Sequence, residues 1–320
     1  MKLRFLLVLL LVGCGPSDPV DPPAPPPPPS PQELKKQADD ARILFDEIFR
    51  NGAYERIPEA RAALKAVYDH DSSVNDGDVA MLLGVTYLWN TAEWERNPSR
   101  GTDARREEVL KGEEYLTRAK ELRPTDGRVY CWLGIMKAFR SQVELNLAMY
   151  YESIVLIDQG IELFPQFSHL VVAFVKSGWG PQTTEFAGAI EHIWKNVDVC
   201  IEGTMDRQNP DFTQYMPLMS NTSGLRRACW SSPLVPHNLE GFWFHMGDLL
   251  VKNNQPDLAV TAYENAKLLP TYSTWSYAGE LETRQLNAHA NAAKYRDDDS
   301  TNNPPLLPQT TFQCTVCHTK

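Results

Sequence analysis

The sequence predicts an all-α chain, and three observations carry that expectation. Apolar residues recur at helical spacing from Gln32 onward, as in Leu44, Phe45, Ile48 and Phe49 and again in Leu64, Val67 and Tyr68. Extended runs of alternating apolar and polar residues, the signature of half-buried strands, are missing. Between Gln32 and Arg296 the periodic segments are separated by turn-forming clusters: Asn75-Asp76-Gly77-Asp78, Asn97-Pro98-Ser99, Pro124-Thr125-Asp126-Gly127 and Gly178-Trp179-Gly180-Pro181.

The first element lies ahead of those helices. Met1-Lys2-Leu3-Arg4 is a short cationic segment, and Phe5 to Val12 is uncharged and apolar. That run is too short to span a bilayer, which takes about 20 apolar residues, but has the length of a signal-peptide core. It ends in Leu11-Val12-Gly13-Cys14, which resembles the lipobox of bacterial lipoproteins. The resemblance implies that residues 1–13 are a signal peptide, that Cys14 becomes the thioether to diacylglycerol, and that the chain is held on a membrane of the cell envelope by lipid. Gly15 stands where an Asp would favour the inner membrane in enteric bacteria, so an outer-membrane destination is expected. Residues 14–31 follow as a tether. Pro25 to Pro29 are consecutive, and such a stretch prefers extended polyproline II to helix or sheet.

The remaining residues of the 320 suffice for one large helical domain, 32–296, or two small ones. The chain has 31 Lys and Arg against 41 Asp and Glu, a net charge of −10, so a basic nucleic-acid footprint is absent. No later stretch is long and apolar enough for a transmembrane helix.

Within the helical region a repeat pattern emerges. Ala119-Lys120-Glu121-Leu122-Arg123-Pro124 is followed ten residues on by Leu133-Gly134. Trp243-Phe244-His245-Met246-Gly247 is followed by Ala259, Tyr263 and Ala266, then by Leu268-Leu269-Pro270. These segments resemble tetratricopeptide (TPR) repeats, as do Leu83-Gly84 with Tyr87, and Gly160-Ile161-Glu162-Leu163-Phe164-Pro165. The resemblance covers about residues 78–295 and implies a TPR-like helical-repeat superhelix, an α-solenoid, that binds proteins or peptides. Asn90 to Gly101 reads as an inserted loop. The segment 204–236 breaks the repeat more seriously, and its Phe212, Tyr215, Met216, Leu218, Met219, Leu225 and Trp230 are expected to pack on the concave face of the repeats, as a cover or as a recognition loop.

Six cysteines are present. Cys200 and Cys229 could be bridged in an oxidising compartment, and Cys131, inside an apolar helical pattern, is expected to be a buried thiol. Residues 297–320 read as a flexible, polar, proline-containing tail. It ends in Cys314-Thr315-Val316-Cys317-His318, which matches the attachment motif of c-type haem. Two thiols three positions apart can reach the two vinyl groups on one side of a porphyrin, and the adjacent imidazole of His318 can reach the iron axially. The motif sits at the chain's end, so the pocket and the second axial ligand would come from elsewhere, with His237, His245, His289 and His192 as candidates. A terminal disulfide, a zinc site with His318, or the remnant of a lost cytochrome domain are the competing readings.

No other chemistry stands out. There is no phosphate-cradling glycine loop and no nucleophile elbow. Asp248 and Glu240 lie near His245 in sequence, and such groups on a helix are usually solvated. Glu191-His192 lacks a second ligand at metalloprotease spacing. The expected function is therefore non-enzymatic: a lipid-anchored scaffold for a protein or peptide partner, with one haem c at its end. Electron transfer to a redox partner with the repeats as docking platform, or service as a solute-binding accessory of a transporter, are the alternatives.

Overall fold

The computed structural model describes residues 28–96, 101–297, 299–307 and 309–318. The signal peptide, Cys14, most of the tether and the Asn97-Pro98-Ser99 loop lie outside the described residues. Among those described, all regular structure is helical and there is no strand.

The first helix, α1 (Pro31–Arg50), starts where local chemistry dictates. Ser30 caps it, its hydroxyl accepting from the Glu33 amide at 3.3 Å while the Glu33 carboxylate accepts from the Ser30 amide at 2.8 Å. Leu34, Ala38, Ala41, Phe45 and Ile48 then form one buried stripe at helical spacing. That stripe packs on α2 (Ile57–His70), which contributes Ile57, Ala60, Leu64 and Val67.

Beyond these come α3 (Asp78–Ala92), α4 (Thr102–Leu122), α5 (Gly127–Glu144), α6 (Leu147–Leu163), α7 (Pro165–Lys176) and α8 (Thr184–Ile201). An irregular stretch leads to α9 (Asn238–Lys252), α10 (Pro256–Ala266), α11 (Ala278–Leu286), α12 (Ala288–Lys294) and a terminal turn, α13 (Thr315–His318). Contacts run mainly between sequence neighbours: α1 with α2, α3 with α4, α5 with α6, α7 with α8 and α9 with α10, each pair touching the next. The region read as an inserted loop from Asn90 begins later than expected, because α3 continues to Ala92 and a further turn spans Trp94–Arg96.

Two helices are buried on every side: α3 from Asp78 to Thr91, and α9 from Leu239 to Lys252. Close approach of their partners needs glycine. A Cβ on Gly84 would stand 2.5 Å from Leu116 of α4, and one on Gly247 would stand 2.3 Å from the Tyr263 ring of α10. The packing separates into two apolar cores. The N-terminal core is built on α1 to α5, and the C-terminal core on α7 to α12 with the insert and the tail.

The insert packs inward. Met205, Phe212, Cys229 and Trp230 are buried in the C-terminal core, and Cys229 is bridged to Cys200 at the end of α8, with Cα atoms 5.6 Å apart. Asn265 of α10 anchors the chain between them. Its amide donates to the Pro210 carbonyl at 2.7 Å, and its carbonyl oxygen accepts from the Phe212 amide at 3.1 Å. Tyr215, Met216, Leu218 and Met219 pack against that core, whereas Leu225, expected to pack with them, is exposed. Cys131 is a fully buried free thiol.

Candidate functional site

The segment expected to be a flexible arm is docked. Its approach is fixed at Asp248 of α9, which is almost wholly buried. The Asp248 carboxylate accepts from Arg284 (2.8 Å), from the Tyr263 hydroxyl (2.7 Å) and from the Leu307 amide (2.9 Å), and Arg284 also donates to the Pro305 carbonyl. Asp248 is therefore not the solvated helix residue its position suggested. Its negative charge is compensated inside the protein, and the bonds it accepts hold residues 305–307 against α9. Glu240 is fully buried as well, receiving bonds from Thr271 and from His237.

From there the tail runs between the two cores. Phe312 lies against Tyr277, with ring centroids 4.6 Å apart, and Val316 is buried in the C-terminal core. At the end of α3, Glu93 is fully buried and its Oε1 accepts from the Cys314 amide at 2.7 Å and the Thr315 amide at 2.9 Å. A carboxylate so placed satisfies amides that a helical turn leaves unpaired at its start. Arg96 pairs with Glu93 and donates to the Thr311 carbonyl and the Thr315 hydroxyl. Burial pushes the Glu93 carboxyl above the usual carboxylate range, against the pull of Arg96 and the two amides. On the opposite side the Trp275 indole donates to the Val316 carbonyl at 2.7 Å, the His237 amide donates to the Cys317 carbonyl at 3.0 Å, and the Tyr277 hydroxyl bonds the Thr315 hydroxyl at 2.9 Å.

The two thiols of the motif are unbridged and half-buried, and they meet different walls. Cys314 packs against the N-terminal core. Cys317 packs against the C-terminal core, its Sγ seated on Gly241 so closely that a Cβ there would be 2.3 Å away. Burial holds the Cys317 thiol up at about 12 and raises Cys314 well above its ordinary value, so both stay protonated and poorly nucleophilic. His318 faces Phe49 of α1, ring centroids 4.0 Å apart, and its Nδ1 lies 3.1 Å from the Leu234 carbonyl. A carbonyl only accepts, so Nδ1 carries the proton and Nε2 keeps its lone pair. Burial lowers this imidazole to about 4 and keeps it neutral.

Of the four candidate distal histidines, the structure brings His237 to the motif, through its backbone. His192 is paired with His169, their Nδ1 atoms 3.0 Å apart, and exposed His289 lies 3.2 Å from Asp257. His245 is buried on α9 beside Phe174 with no hydrogen-bond partner at either ring nitrogen. Among the described residues, no three His, Cys, Asp or Glu side chains converge as a metal site, and no helix is long and apolar enough to cross a membrane. No family model, curated protein or solved structure matches the chain.

Sequence reasoning missed Glu93, Arg96, Gly241 and Trp275. The Glu93–Thr315 contact joins positions 222 apart, and no local pattern marks it.

Proposed function

We propose that the chain is a lipid-anchored scaffold of the cell envelope, of tetratricopeptide type, that binds protein or peptide segments between its first and last helices. One observation carries this reading: the groove already holds a peptide, the chain's own residues 311–318, largely by bonds to its main chain. Glu93, Arg96, Trp275 and the His237 amide all address backbone groups of that segment. Main-chain recognition of this kind tolerates many side chains, which suits a scaffold. The tetratricopeptide reading is supported by Gly84 and Gly247. Both are close-approach positions of first helices in their pairs, and the large residues they meet, Leu116 and Tyr263, sit on the second.

The test uses Val316→Asp, which should unseat the tail and leave the groove whole. A synthetic peptide of residues 310–318 should then bind the variant saturably and bind the wild type far less. Equal or absent binding would overturn the reading. Lipid attachment is tested separately: Cys14→Ser should move the chain from the membrane to the soluble fraction.

A second reading is favoured by His318, in which the chain carries one haem c for electron transfer. Its donor set fits that group in kind. Cys314 and Cys317 are free, and the Leu234 carbonyl fixes the His318 tautomer that leaves Nε2 for iron. In the docked tail Cys317 is seated on Gly241 and His318 faces Phe49, contacts that a porphyrin would have to replace. When bound, haem would supply one-electron chemistry. Chain made in a host that matures haem c should show a Soret band that Cys314→Ser/Cys317→Ser abolishes, and a colourless wild type would exclude this reading.

A further inference from the structure

We propose that the outer face of α6 is a second docking surface, shaped for an amphipathic partner helix that is apolar at one end and basic at the other. It does not depend on the groove that holds the tail.

The inner face of α6 fixes the helix in place. Ser153, Ile157 and Gly160 are buried toward α5. A Cβ on Gly134 would stand 2.6 Å from Ile157, and one on Gly160 would stand 2.5 Å from the Cys131 sulfur. The opposite stripe, Leu147, Tyr151, Val155, Asp158 and Glu162, follows helical spacing and is exposed along its whole length. Its first three residues are large and apolar, each more than half exposed. Its last two are acidic. The loop before α8 widens the apolar end, because Trp179 meets the Tyr150 ring there, centroids 5.9 Å apart, and stays partly exposed. Exposed apolar residues scattered singly are ordinary, whereas contiguous ones mark interaction sites.

Leu145 is an independent observation. It sits at the turn between α5 and α6 with φ 51°, the left-handed region that glycine and asparagine occupy at helix ends and that costs a leucine backbone energy. Its side chain is 92 % exposed, so the fold gains little in return. A large apolar residue at a strained position, two residues before the exposed stripe begins, is explained by a partner that covers it.

Charge decides what that partner is. The helix α6 carries no Lys or Arg, and Lys137, which bonds exposed Glu152 at 2.7 Å, comes from α5. A second copy laid parallel would set Asp158 and Glu162 against their own counterparts. One laid antiparallel in full overlap would set them against Leu147 and Tyr151. An anionic lipid surface would meet the same acids. A helix with leucine-like residues at one end and lysines or arginines at the other matches the stripe along its length.

The probe is a synthetic helix of the length of α6, with leucines on one face at one end and lysines on that face at the other. A matched peptide carries glutamates for the lysines. By fluorescence anisotropy at physiological salt, the lysine peptide should bind the wild type saturably and about tenfold more tightly than the glutamate peptide. Val155→Asp adds negative charge, so binding by net charge alone would tighten, whereas docking on the stripe predicts about a tenfold loss. Leu145→Gly relieves the backbone and should raise the urea midpoint while weakening the peptide. Absent binding, equal binding of the two peptides, or unchanged or tighter binding in Val155→Asp overturns the proposal. Binding that appears only in Val316→Asp belongs to the tail groove and overturns it too. So does sedimentation that finds wild-type dimers dispersed by Val155→Asp, since a second copy then covers the face.

Discussion

At the residue scale, buried histidines set how this protein responds to acid. His245 is 3 % exposed and neither of its nitrogens has a partner, and burial lowers its pKa to about 3. An unfolded histidine titrates near 6.5. As pH falls below about 6.5 the unfolded chain takes up a proton that folded His245 refuses, so its contribution is complete above that pH and is lost progressively toward the folded value. Between pH 7 and pH 5 this one residue should remove about 2 kcal/mol of stability. His169 and His192, each lowered to about 4, act in the same direction. His245→Phe should shrink the fall in the urea midpoint between pH 7 and pH 5, and an unchanged fall would show that His245 is protonated in the folded chain. Residues such as Gly84 and Gly247 were legible in the sequence because the helix-pair pattern that needs a small residue is local. His245 was legible only as a histidine. That it lies in a helix buried on all sides is something no three-residue neighbourhood reveals.

At the scale of elements, the insert is held by one covalent bridge and a few buried side chains. The Cys200–Cys229 bond closes a sequence separation of 29. Constraining the unfolded chain over that span is worth about 3.6 kcal/mol. Reduction, or Cys200→Ala/Cys229→Ala, should lower the unfolding free energy by about that amount. Trp230, buried beside the bridge, should report the loosening by a red shift of fluorescence. A midpoint insensitive to reductant would mean that the insert's apolar contacts alone fix it. The helices were readable because α1 and α2 present clear stripes, while Leu83-Gly84 in α3 and Met246-Gly247 in α9 lie in segments that resemble first helices of repeats. The tail was not readable as a docked element. Its composition, with Asp297, Asn302, Pro304 and Pro305, is that of a linker, and what orders it is a set of tertiary bonds to α3, α9 and the turn at Trp275. The irregular backbone of residues 303–307 is affordable there because Asp248 and Arg284 satisfy its amide and carbonyl groups.

At the scale of the whole molecule, the tail changes the stability problem from a line to a loop. In a linear stack of helix pairs each unit touches only its neighbours, so the ends open independently and with less protection than the middle. Here Arg96 bonds Thr311, Glu93 bonds Cys314 and Thr315, and Phe49 faces His318, joining positions more than 200 apart. The helices α1 to α3 are thereby tied to α9 and α11 through a segment that belongs to neither. Opening the first helices alone must break this tie as well as their own packing. Native-state hydrogen exchange should accordingly find α1 to α3 protected almost as strongly as α9 and α10 in the wild type. Glu93→Ala should lower protection in α1 to α3 and in α13 while α9 and α10 keep theirs, splitting one transition into two. The substitution also removes a carboxyl that burial disfavours when charged, so total stability could change little even as cooperativity falls. That separation of effects makes exchange the deciding measurement rather than a melting temperature. Equal loss of protection at both ends would assign Glu93 a role in the general core. No loss at either end would mean that the neighbour-to-neighbour packing of the helix pairs already carries the full coupling.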